Sequence, residues 1–179
     1  MNLYKSYCPR EFKGVLVLLR EPNSRQQPAP PGWEKPGQAY YWARRMLTDP
    51  AFANEFTGTE KRAVPLYRHK LAALLQQLSP CYRLEDLAYA NLHPEKGGTH
   101  CARDYQQIPK ADRALELVEE LSPTVVLTCA DIYEALKKKL SPVEERDGLV
   151  YATRTHKCFS HKGVTYYSMY HPASSKRIG

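Results

Sequence analysis

The chain has 179 residues, 42% of them hydrophobic, enough for one packed domain spanning 1–179. Lys and Arg outnumber Asp and Glu by 26 to 19, and the resulting charge of +7 favours an anionic partner such as nucleic acid. Nothing longer than a strand is continuously apolar and Met1 to Lys5 starts no hydrophobic leader, so a membrane partner is not expected and the expected location is cytoplasmic.

Residues 15–19 are five successive aliphatic side chains after Gly14, the pattern of a buried strand stopped by Arg20-Glu21-Pro22. The following stretch, 23–37, carries Pro28, Pro30, Pro31, Pro36 and Trp33, and loops of this length in compact domains are usually functional or disordered. A helix is expected from about Gln38 through Trp42 and Met46 to the stop at Asp49-Pro50, and another over 66–78, where Leu71, Leu74, Leu75 and Leu78 have helical spacing.

Residues 84–91 predict a second strand, left at Asn91-Leu92-His93-Pro94 and followed by Lys96-Gly97-Gly98. An amphipathic helix over 111–121, a strand over 124–129 after Pro123, a helix over 130–140 and a last strand over 164–170 complete the order. Alternating strands and helices predict an α/β fold with a mostly parallel central sheet of about four strands, covered on both faces. There is no internal repeat.

Two Pro-containing motifs stand at the exits of apolar strands at opposite ends of the chain, Arg20-Glu21-Pro22-Asn23 and His171-Pro172-Ala173-Ser174. Parallel strands bring such exits to one edge, so Glu21 and His171 form a candidate hydrolytic pair. Residues 151–179 hold Arg154, Lys157, Lys162, Lys176 and Arg177 and no acid, which suits contact with a phosphate backbone as well as a solvated basic tail.

The five cysteines, Cys8, Cys81, Cys101, Cys129 and Cys158, are odd in number and widely spaced, as expected of reduced thiols. His156, Cys158 and His161, with His93 or Cys101, match no standard closed zinc site, so no metal and no cofactor is expected.

On these motifs the chain resembles the uracil-DNA glycosylase superfamily over nearly its whole length. Leu19-Arg20-Glu21-Pro22 is similar to the first motif of that family, Gly-x-(Asp or Asn)-Pro, and His171-Pro172-Ala173-Ser174 to its last, His-Pro-Ser. Tyr41-Trp42 and the long loop with Trp33 look more like the mismatch-specific branch, Asn91 resembles the family's base-reading asparagine, and Ser122 to Leu127 resembles its Pro-led strand. The chain departs from the pattern at Leu19, Glu21 and Ala173, carries Asn23 where some branches have a tyrosine, and offers no leucine wedge after Ser174.

The resemblance implies a three-layer α/β/α sandwich and a monomeric, metal-independent enzyme that removes uracil or a related damaged or mismatched base from DNA. Glu21 would orient water toward the sugar and His171 would stabilise the leaving base. Arg20, Pro22, Asn23, Trp33 and Asn91 would bind the flipped base, Trp33 by stacking and Asn91 through its planar amide. Arg154, Lys162, Ser174, Ser175, Lys176 and Arg177 would hold DNA. A catalytically inactive nucleic-acid-binding protein of the same fold and a hydrolase of free nucleosides are the alternatives.

Overall fold

The computed structural model describes residues 6–19, 38–92, 110–151, 153–170 and 172. Strand β1 (Ser6–Tyr7) precedes β2 (Val15–Leu19), the first aliphatic run, whose five residues are all buried. Helix α1 (Gln38–Thr48) and helix α2 (Gly58–Leu78) follow, then β3 (Ala88–Asn91), α3 (Lys110–Leu121) and β4 (Val125–Cys129). The order closes with α4 (Ala130–Leu140), β5 (Glu145–Tyr151), β6 (Arg154–His161) and β7 (Val164–Met169).

The seven strands form one sheet in the order β1-β3-β2-β4-β7-β6-β5. Its centre, β3-β2-β4-β7, is parallel, and these are the four strands expected from the sequence. The expectation of a mostly parallel sheet of about four strands is corrected: β1, β6 and β5 add three antiparallel pairings, so the sheet is mixed. These strands lack an apolar run. β1 has two residues, and Glu145, Arg146 and Asp147 open β5 on exposed positions, as suits an edge strand.

Helix α2 also begins earlier than the leucine spacing implies, at Gly58, and contains Pro65. Proline removes the bond to the carbonyl four residues before, here that of Lys61. Lys61, Arg62 and Pro65 are all exposed, so water can serve that carbonyl. The expected strand over 84–91 is a 3-10 turn (Leu84–Asp86) followed by the four residues of β3.

Side chains alternate across β2, so each face of the sheet builds its own core. Val15, Val17 and Leu19 pack with Met46 and Leu47 of α1 and with Leu71 and Leu74 of α2. Leu16 and Leu18 pack on the other face with Leu117 of α3 and with Ile132 and Leu136 of α4. The N-terminal ends of β2 and β4 are locked together by Gly14, whose carbonyl accepts the backbone N–H groups of Thr124 and Val125 at 2.8 and 2.9 Å. Gly14 has φ +82°, and a Cβ there would sit 2.6 Å from Thr124 Oγ1, so this junction requires glycine.

Chain path decides what meets at the other end. From β2 the chain passes along the α1/α2 face to β3, returns over the opposite face through α3 to β4, and continues on that opposite face with α4. The helices that follow β2 and β4 thus lie on opposite faces, making the carboxyl end of the β2–β4 pair a topological switch point, where open α/β sheets hold their ligands. No described helix is long and apolar enough to cross a membrane.

Candidate functional site at the strand exits

The parallel register fixes a row of residues at this edge. Leu19 is paired with Asn91, Leu18 with Thr128, and Cys129 with Met169. Alternation places Asn91, Leu19, Cys129 and Met169 on the α1/α2 face, in that order across β3, β2, β4 and β7. The backbone N–H of Leu92 donates to the Leu19 carbonyl at 2.9 Å, holding the two strand ends together. Thr128 Oγ1 donates to the Leu18 carbonyl at 2.8 Å in the buried interior and ties β4 to the same end of β2.

Asn91 is 8% exposed, and its Oδ1 is buried with no hydrogen-bond partner among the described residues. Buried polar atoms are overwhelmingly paired, so an orphan acceptor at a strand exit marks a place where a donor from outside would be stabilising. Burial holds the phenol of Tyr89, two residues before Asn91, and that of Tyr67 on α2 well above the usual tyrosine range, with Cys129 close to both. Both hydroxyls stay neutral, leaving a low-dielectric floor in which a hydrogen bond is strong.

On the far side of the row, β6 runs antiparallel to β7, so Arg154 at its start lies at the edge where β7 ends. Arg154 is exposed. His156 follows on the same face as Tyr151, and its ring stands edge-on to Tyr151 and Tyr170 at centroid distances of 6.1 and 4.7 Å. Lys70 of α2, only 2% exposed, places its ammonium 5.8 Å from the centroid of Tyr151, and burial lowers its pKa from the ordinary lysine value.

Of the residues proposed from sequence, Asn91 and Arg154 thus lie at the exit edge. Lys162 does not join them. It occupies the two-residue turn between β6 and β7, with φ 47° beside Gly163 at φ 82°, at the opposite end of the sheet. The length of β7 separates that turn from the exits by about 17 Å. Glu21, His171, Arg20, Pro22, Asn23, Trp33, Ser174, Ser175, Lys176 and Arg177 lie outside the described residues.

The three described residues of the histidine and cysteine cluster weighed as a metal site do not converge. His156 and Cys158 share one face of β6 while His161 turns to the other, and no group of three His, Cys, Asp or Glu side chains that could hold a metal occurs among the described residues. Cys158 instead contacts the Asp147 carbonyl at 3.6 Å.

Sequence reasoning missed Lys70, and it named His156 without its ring partners. Lys70 carried a signal, since it falls on the apolar stripe of α2 formed by Tyr67, Leu71, Leu74 and Leu78, where a charge is out of pattern. The ring contacts of His156 carried none, because they depend on the β6 pairing.

Comparison with protein-family models, with curated proteins and with solved structures gives no match for this chain.

Proposed function

We propose that the protein is a DNA glycosylase that flips uracil, or a related damaged or mismatched base, out of DNA and hydrolyses its N-glycosidic bond. The observation that carries this reading is the pairing of Leu19 with Asn91, which puts the exit of β2 beside a buried amide whose oxygen is unsatisfied, at the switch point of the sheet. The motif Arg20-Glu21-Pro22 follows Leu19 directly in the chain, and His171 follows Tyr170 one residue past β7. In the same reading, the helices on the two faces are the outer layers of a three-layer α/β/α sandwich of the uracil-DNA glycosylase type.

Breaking the bond between base and deoxyribose leaves positive charge on the sugar and negative charge on the base, so both ends need stabilisation. Glu21 supplies a carboxylate that orients water toward the anomeric carbon and offsets the oxocarbenium charge. His171 donates to the base oxygen on which charge develops. Asn91 reads the edge of the base: its Oδ1 accepts from an imide N–H and its amide N–H donates to a neighbouring carbonyl, a match to uracil that cytosine, lacking that N–H, does not offer. Arg154, exposed at this edge, takes a flanking phosphate.

A fluorescent duplex with one uracil opposite guanine tests the proposal. The wild-type protein is expected to leave an alkali-labile abasic site, with Glu21→Gln and His171→Ala each slowing its formation by about 100-fold or more. Binding of the duplex without base release would favour a nucleic-acid-binding protein, and release from free deoxyuridine with no competition by DNA would favour a nucleoside hydrolase.

A further inference from the structure

His156 lies outside the residues assigned above, yet its surroundings are built around it. Its ring is perpendicular within 7° to that of Tyr170 (83°) and stands at 86° to that of Tyr151, while the two tyrosines meet each other at 5.4 Å and 67°. Three rings thus make mutual edge-to-face contacts, the arrangement their quadrupoles favour. The groups around the imidazole come from four elements: Tyr151 of β5, Arg154 of its own strand β6, Tyr170 just past β7 and, across the Tyr151 ring, Lys70 of α2.

The imidazole also has a defined proton. It donates to the backbone carbonyl of Tyr151, while Nε2 is buried with no partner among the described residues. The donor is therefore Nδ1, and Nε2 carries the lone pair. Protonating Nε2 would create a second N–H with nothing to receive it, and would add a third positive charge beside Arg154 and Lys70.

We propose that His156 is a positioning residue: in its uncharged form it fixes Tyr170, and so the end of β7 from which the chain continues to His171. The inference rests on the base-excision reading for its effect on rate, and on the ring cluster alone for its effect on Tyr170. Acidification charges the ring, opens the cluster and removes the fixed strand end, so excision falls.

Two readouts on the full chain separate the inference from the reading beneath it. NMR follows the ring resonances of Tyr170 and of His156 between about pH 8 and about pH 5, and single-turnover excision is measured over the same range. His156→Asn keeps an N–H for the Tyr151 carbonyl and cannot titrate. In the wild type, Tyr170 is expected to shift with the midpoint of His156, and excision to fall about tenfold below it. In the variant, Tyr170 stays still and excision varies by no more than about twofold. A Tyr170 signal that ignores the His156 midpoint, or a variant whose excision falls as the wild type's does, overturns the proposal. A wild type that releases no base fails the excision reading instead, and the Tyr170 titration then decides the inference by itself.

Discussion

The hydroxyl of Thr128 donates to the carbonyl of Leu18 across 2.8 Å of buried interior, one residue before β2 ends. It adds a bond beyond the strand ladder at the switch point between β2 and β4. Thr128→Val keeps the shape and removes the donor, so we expect a loss of about 1 kcal/mol in urea unfolding, with the loss largely recovered in Thr128→Ser. Equal stability of the valine variant and the wild type would show that the hydroxyl does not hold this end of the strand.

Arg154 and Lys162 stand at opposite ends of β6 and should differ in their effect on DNA binding. Neutralising a residue that contacts a phosphate lowers the dependence of log K on log salt by about one. Arg154→Ala is expected to show that change in a salt titration with a uracil-containing duplex, and Lys162→Ala to leave the slope as it is. The reverse pattern would move the DNA path to the other end of the sheet.

Stability should depend on the charge state of His156. Burial lowers its pKa from the ordinary histidine value, so between the folded and unfolded values the unfolded chain binds more protons. The contribution is therefore complete above an unfolded pKa of about 6.5 and is lost as pH falls below it. Thermal melts across this range are expected to show a smaller acid destabilisation in His156→Asn than in the wild type; parallel curves would assign the acid sensitivity to other groups.

Much of this architecture is legible in the chain itself, for a physical reason. A strand buried on both faces must be apolar throughout, which makes Val15 to Leu19 and Val125 to Cys129 stand out, and Ala130 to Leu140 repeats its apolar residues at helical spacing. β5 and β6 escape notice because neither carries an apolar run: β5 is an edge strand and β6 lies beside it. Charges on Glu145, Arg146, Asp147 and Lys157 break any alternation, and part of the support for β5 comes from a distant side chain: Gln77 of α2 accepts from the Val150 N–H at 2.7 Å and donates to its carbonyl at 2.8 Å. At the site, the strand exits at Leu19 and Asn91 are visible as apolar runs ending in turn residues. The clustering of Lys70, Tyr151, His156 and Tyr170 is not, because it joins a helix and three strand ends that only the sheet order β4-β7-β6-β5 brings together.

The most direct test of the proposed site is single-turnover release of uracil from a duplex by the wild type and by Asn91→Ala. Truncation removes the buried amide and leaves the pairing of β2 with β3, which is made by backbone groups. Release by the wild type, slowed by about 100-fold in the variant with the fold retained by circular dichroism, is the expected result. Release at an unchanged rate without the Asn91 amide would contradict the assignment of the strand exits as the base-binding site.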